Sequence, residues 1–220
     1  LGGGCAGLSL ATRLARATDP PRTVVLEARE AYTSDRTWCY WEPLAHPFAH
    51  LVEHRWNRWG LRRPDRREVT LDGGEYPYAQ LDSGAVYAHA AETLGRSEQV
   101  ELALGAGVRE VRAEGRSTRI ETERGVWVAE RVIDTRPQRA AADRARLLQH
   151  FVGWEVELEA DAFDPERALL MDFAVRQDRG VHFVYLLPTS PRRALVETTY
   201  FSGATFGDAC YDEDLRQYLD

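Results

Sequence analysis

The sequence predicts an α/β (α+β) fold in two parts, one alternating helix with strand and one built from antiparallel strands. Three observations carry that expectation. A glycine-rich turn, LGGGCAGLSLA, runs straight into a helix-like stretch and then an apolar run, TVVLE. Short alternating runs broken by glycine fill 98–134. From 149 onward, four strand-like runs are separated by turn-forming residues. With 220 residues, 44% of them hydrophobic, the chain has material for a sizeable core in one or two domains.

Taken in order, residues 5–18 place Leu8, Leu10, Ala11, Leu14 and Ala15 on a helical stripe, ended by the prolines of DPPR. TVVLE at 23–27 is a continuous apolar run tipped by an acid, as suits a buried parallel strand. Residues 31–66 hold Trp38, Trp41, Trp56 and Trp59 among several arginines with little period, and are expected to form long loops over a site. REVTLDGGEYPY reads as a strand and turn. Residues 82–95 read as a helix capped by Asp82 or Ser83 and stopped by Gly95. QVELAL, GVREVRAE, STRIETERG and VWVAERVIDT predict a β-meander returning to the parallel sheet at RVIDTRP. Residues 139–149 are expected to be helical or loop-like and to cross between domains. QHFVGWEVELEAD, ALLMDFAV, VHFVYLLPTS and RALVETTYFS predict an antiparallel sheet, and DEDLRQYLD opens a helix. The expected organisation is 1–45 as the first half of a nucleotide-binding domain and 46–80 as the start of a substrate or cap region. Residues 81–138 then return to the nucleotide domain, and 139–220 form the substrate domain.

A net charge of -7 gives no electrostatic case for nucleic acid. Cys5, Cys39 and Cys210 are far apart and suggest neither a metal site nor a disulfide framework, so a reduced, cytoplasmic compartment is expected. No run of about 18 apolar residues predicts a spanning helix.

Gly2, Gly4 and Gly7 form a G-x-G-x-x-G pattern. The first glycine permits a tight turn, the second lets backbone approach a pyrophosphate, and the third allows close packing of helix on strand. A helix starting at Cys5 and Ala6 aims unpaired N–H groups and its positive end at phosphates. Glu27, twenty residues after Gly7, is placed to hold a ribose hydroxyl and favours an unphosphorylated ribose, as in FAD or NAD. A glycine turn without ligand is the alternative. The meander before RVIDT points to FAD, because flavoproteins of the glutathione-reductase-like type interrupt their Rossmann-like domain there. Asp134, at that strand's end, is then either a cofactor neighbour or a turn residue.

Several phrases together resemble the FAD-type lycopene cyclase family (lycopene beta-cyclase) of carotenoid synthesis. They are GGGCAGLSLA, DRTWCYW, VIDTRP, FVGWEVE, FDPERALLMDF, FVYLLP and ALVETTYFS, in the family's order and across nearly the whole chain. The family's catalytic motif, aromatic or aliphatic residue–Glu–acid–Thr, is matched by Val196, Glu197, Thr198 and Thr199, with Thr198 in the acidic position. That departure leaves no second carboxylate at 198. The resemblance also implies a first strand upstream of residue 1 and a C-terminal portion beyond residue 220.

The implied reaction is an isomerisation. A proton adds to the terminal double bond of lycopene or a related acyclic carotenoid, a neighbouring double bond closes a six-membered ring, and a ring proton leaves. The resemblance implies Glu197 as the acid, reduced FAD beside the cation and NAD(P)H as reductant. On a strand Leu195, Glu197, Thr199 and Phe201 share one mostly apolar face, which keeps a carboxyl protonated; a glutamate on a solvated face is the alternative. Trp38, Tyr40 and Trp41 are candidates either for cation–π stabilisation or for packing. Arg36 is a candidate for the cofactor's phosphates or for a surface ion pair, and His182 for accepting the ring proton or for a structural role. Asp172 is a possible second carboxylate if its strand neighbours that of Glu197, or else a turn partner. The substrate implies a protein peripheral to the inner membrane on its cytoplasmic side, with aromatic loops such as 38–59 dipping into the interface. A different FAD-dependent oxidoreductase, a monooxygenase or polyprenyl reductase, and an inactive fragment stand as alternatives.

Overall fold

Gly4 is extended and Cys5 opens the first helix, so Gly2 and Gly4 lie before the helix and Gly7 lies in its first turn. The computed structural model describes residues 1–42, 45–137 and 147–220. In chain order the elements are α1 (Cys5–Ala15), β1 (Thr23–Leu26), β2 (Thr37–Trp41), β3 (Val52–Trp56), β4 (Arg58–Arg62), β5 (Glu68–Asp72), β6 (Tyr78–Asp82) and α2 (Ser83–Gly95). They continue with β7 (Val100–Ala103), β8 (Val108–Glu114), β9 (Ser117–Thr122), β10 (Gly125–Ala129), β11 (Leu148–Glu157), β12 (Arg167–Asp172), β13 (Val181–Pro188), β14 (Arg193–Ser202) and α3 (Asp208–Leu219). The chain divides into two units, Leu1–Trp38 with Leu81–Gln138 and Cys39–Gln80 with Arg139–Asp220. The first stretch of the nucleotide-side unit therefore ends at Trp38, not at 45.

In the first unit β1 runs parallel to β7, Thr23 opposite Val100 through Leu26 opposite Ala103. Leu8, Ala11, Val25, Tyr87, Ala90, Leu94 and Val100 form one buried cluster, which packs α1 and α2 on this pair. QVELAL is thus part of the parallel pair and not of the meander. Its place follows from the apolar Val100 and Leu102, which meet β1 in parallel register. The meander itself is β8–β9–β10, antiparallel throughout. RVIDT forms no strand: Thr135 donates its N–H to Leu1 O, and the Leu1 ammonium donates to Ile133 O. Contact with a single residue is too short to count as a ladder. The helix predicted to reach residue 18 stops at Ala15, where the Arg16 and Ala17 N–H groups close a last turn on Arg13 and Leu14. α2 is capped as expected, the Ala85 N–H donating to Asp82 Oδ2 at 2.9 Å.

The second unit is built on a six-stranded sheet in the order β11-β14-β13-β12-β4-β5. The sheet is mixed, because β12 runs parallel to β4 while its other pairings are antiparallel. The stretch 31–66, expected to be long loops, holds three strands, β2, β3 and β4, and β2-β6-β3 make a further small sheet. Trp56 is fully buried against Ala168, Leu170 and Leu187, so the tryptophans of 56 and 59 are core and not interfacial loop tips. Residues 138–146, which include most of the predicted crossing segment 139–149, lie outside the described residues.

The pleat of β14 divides the second unit's chemistry. Ala194, Val196 and Val184, the cross-strand partner of Thr198, pack with Leu215 of α3. Leu195 turns the other way, into a cluster with Trp56, Trp59, Tyr78, Tyr185 and Cys39. Glu197 and Thr199 follow Leu195 by the two-residue period.

Candidate active site

The glycine turn has the geometry of an anion seat. No side chain caps α1, and its first helical bond runs from Leu8 N–H to Gly4 O, so the N–H groups of Cys5, Ala6 and Gly7 end free at the helix start. No acidic residue occupies that first turn. A Cβ on Gly4 would meet nothing within 4 Å, whereas one on Gly7 would lie 2.0 Å from Gly2 O. Gly7 is glycine because helix and turn touch there; Gly4 is open to a ligand. Gly2 has φ +92, which favours glycine. These features fit a pyrophosphate held by backbone N–H groups.

Glu27 is buried, and its carboxylate ties the turn down. Oε2 accepts from Gly3 N–H at 2.6 Å, and Oε1 accepts from the N–H and Nε of Arg29. Burial alone would raise its pKa, but these donors prevail and hold it below the usual carboxylate range. Arg29 and Tyr32 also reach Gly3 O, at 3.3 and 2.8 Å, and Tyr32 stacks on Tyr87 at 4.1 Å. Sequence reading passed over both residues; the one cue was a basic residue two positions after the acid. Arg36 is not the arginine at the turn. Its side chain is 66% exposed and its ionic neighbour is Asp35 at 3.9 Å, because its backbone is pinned to Ser83. Asp134 is exposed and pairs with Arg136 at 2.7 Å, which holds its carboxyl down at about 2. The Cys5 thiol, at the helix start, is pushed up by burial.

Glu197 faces the aromatic side of the second unit. Its direct cross-strand partners are Gly153 on β11 and Tyr185 on β13. Burial raises its pKa, and the Thr199 hydroxyl, donating to Oε1 at 3.3 Å, offsets only part of that. Its charge is felt by Cys39, Tyr78 and Tyr185, all pushed upward chiefly by burial, Cys39 to about 12. Each buried carboxylate among the described residues sits on an arginine: Glu27 on Arg29, Glu42 on Arg55, Asp172 on Arg62 and Asp214 on Arg179. Glu197 has no basic partner among the described residues.

The remaining candidates separate. Asp172 is not a second carboxylate beside Glu197: β13 lies between their strands, and Asp172 takes Arg62 at 2.7 Å and the Tyr218 hydroxyl at 3.0 Å on the α3 side. His182 is opposite Tyr200, also on the α3 side, with Nε2 2.8 Å from Thr198 Oγ1 and Nδ1 2.8 Å from Arg176 O. Both ring nitrogens are satisfied there, so the imidazole is not free to take a ring proton beside Glu197. Trp38 packs edge-on to Tyr87 in the first unit's core. Tyr40 meets His46 edge-on, and Trp41, 45% exposed, lies 4.9 Å from Tyr78 and 5.0 Å from Trp59. Tyr78 and Tyr185 are neighbours of the acid that sequence reading missed, since cross-strand register is invisible before pairing is known.

The family model described as Lycopene cyclase protein matches residues 1–220. Lycopene beta-cyclase of Pantoea ananas is 29% identical over 225 residues, covering 99% of this chain and 56% of that protein. Lycopene beta-cyclase of Paracoccus sp. is 30% identical over 210 residues, covering 91% of this chain and 50% of its own length. The chain thus spans about half the length of these relatives. Among solved structures, Klebsiella pneumoniae HpxO complexed with FAD and uric acid superposes with a TM-score of 0.65 at 16% identity, covering 99% of this chain and 60% of that one. A geranylgeranyl bacteriochlorophyll reductase-like protein of Thermoplasma acidophilum gives 0.64 at 12% identity, covering 100% and 59%. The fold is that of FAD-binding monooxygenases and reductases.

Proposed function

The chain belongs to the lycopene cyclase family, and from that premise we propose that its gene product is an FAD-dependent lycopene cyclase in which Glu197 is the acid. One observation supports this most directly: Glu197 is half-buried, has no arginine partner among the described residues and has its pKa raised by burial, whereas the buried carboxylates described in its unit each sit on an arginine. An alkene is a very weak base, so its protonation needs a neutral carboxyl shielded from water. The aromatic and aliphatic neighbours of Glu197 supply that setting.

In the proposed reaction the Glu197 proton adds to the terminal double bond of lycopene, leaving a tertiary cation. The adjacent double bond closes the ring onto it, and loss of a ring proton gives a β-ionone end with no net change in oxidation state. The backbone N–H groups at Gly4, Cys5, Ala6 and Gly7 would hold the pyrophosphate of FAD, while Glu27 fixes Gly3 and the turn. Reduced FAD, formed at the expense of NAD(P)H, would supply negative charge near the cation. Because the substrate is a hydrocarbon, we place the protein peripherally on the cytoplasmic side of the inner membrane. Among the described residues no helix is long and apolar enough to cross it.

Expressing the gene product in lycopene-making bacteria and identifying the pigment tests this reading. A cyclic product of unchanged mass supports it. A product of altered mass would assign the protein to flavin oxidoreductases instead.

A further inference from the structure

We propose that Gly153 is a specificity-determining residue: a bare backbone position across which the hydrocarbon end of the substrate reaches Glu197. The inference rests on the cyclase reading above and adds where that substrate lies. Gly153 stands in the middle of β11, a strand of ten residues, directly opposite Glu197. Glycine in a strand interior is destabilising relative to alanine, so its presence calls for a reason.

The backbone supplies none, and packing supplies only one close side-chain contact. Gly153 is not among the glycines with positive φ. A Cβ there would lie 3.2 Å from Leu195 Cδ1 and 3.5 and 3.6 Å from Glu197 Cβ and Cγ. Those are side-chain contacts, and the flexible end of Leu195 has only to give by a few tenths of an ångström. The strand accepts a side chain at 153, but the side chain would then stand against the acid. Leaving it out keeps clearance beside the carboxyl.

The surroundings fit an apolar ligand. β11 is the first strand in the sheet order, and Gly153 is exposed. Two residues along the same face Phe151 is 54% exposed, opposite Thr199, and Val181 is 50% exposed opposite Phe201. Val152, Trp154 and Val156 turn to the α3 side and are packed there. On this face of β11 the exposed Phe151 stands on one side of Gly153 and the exposed Glu155 on the other, so an apolar chain would come to Glu197 from the Phe151 and Val181 side, across the one position beside it that has no side chain. An unsaturated hydrocarbon end matches Phe151 and Val181, and the missing arginine leaves nothing to attract an anion.

Gly153→Ala, Gly153→Val and Gly153→Leu in the gene product test the proposal, with melting temperature, lycopene kcat/KM and Glu197→Gln measured alongside. The expected result is an unchanged or raised melting temperature and a kcat/KM that falls stepwise with side-chain size, by about tenfold or more for leucine. Full activity in Gly153→Leu would overturn the proposal, as would activity lost only in step with melting temperature. If Glu197→Gln is also fully active, the cyclase chemistry assigned to Glu197 fails. If Glu197→Gln is inactive while Gly153→Leu is active, only the role of Gly153 fails.

Discussion

The imidazole of His182 meets the hydroxyl of Thr198 at 2.8 Å on the face of the central sheet that Glu197 does not share. Burial lowers the His182 pKa. The unfolded imidazole takes its proton near pH 6.5, while the folded one waits for lower pH, so between those values the unfolded chain holds more protons. Stability therefore falls as pH falls through that window, with a slope approaching about 1.4 kcal/mol per pH unit from this group. Urea melts of wild type and His182→Asn between pH 5 and 8 check this; equal slopes would remove His182 as the cause.

Glu197→Gln is expected to lower cyclisation by about 10²–10⁴-fold, the usual contribution of a general acid, while flavin content and melting temperature at neutral pH hold or rise. Its raised pKa makes the folded state hold more protons than the unfolded state above about pH 4.3. Stability thus declines as pH rises from there to the raised value, and the glutamine variant should lose that decline. Pigment analysis and parallel melts at pH 4 to 7 measure the two effects.

Gly4→Val and Gly7→Ala should fail in different ways. The first adds a side chain where nothing lies within 4 Å, so the fold should stand and bound flavin should disappear. The second drives a Cβ against Gly2 O, a backbone atom that cannot step aside, and should destabilise by about 1–3 kcal/mol. Flavin absorbance per protein and thermal melts separate the two; normal flavin in Gly4→Val would remove the turn as a phosphate seat.

Arg62→Met removes the charged partner of Asp172, which is 1% exposed and bonded to it at 2.7 Å, and leaves the carboxylate only the Tyr218 hydroxyl and the Ala174 N–H. Breaking a buried pair costs about 3–5 kcal/mol, and because Arg62 is partly exposed and two donors remain, a loss at or below about 3 kcal/mol is expected in denaturant melts. Activity per folded molecule should hold, because this pair lies on the α3 side of the sheet.

Where a side chain's neighbours are set by local chain geometry, the sequence carried the information. The glycine turn, the α2 cap at Asp82 and the apolar face of Leu195 and Glu197 follow from spacing along one element. What stayed hidden depends on pairing. Trp56 and Trp59 read as loop residues because β3 and β4 carry glutamate and arginine on their other face and few branched residues. The parallel match of β12 with β4 joins segments more than a hundred residues apart, and nothing in either announces it. Strand type alone leaves open whether Asp172 and His182 lie beside the acid, and the pleat sends both to the far face. Arg29 was overlooked for Arg36, since which arginine folds back onto Gly3 depends on the bend after β1.

β14 places Glu197 and Thr198 on opposite sides of one sheet, and the hairpin at Thr189–Arg192 sets which goes where. Removing or adding a single residue in that hairpin while keeping the ladder would exchange odd for even along the strand. A threonine would then look toward the aromatic cluster, and the carboxyl would be thrust at α3. Length changes in this hairpin are thus constrained by parity as well as by size, and lineages that alter it should do so two residues at a time.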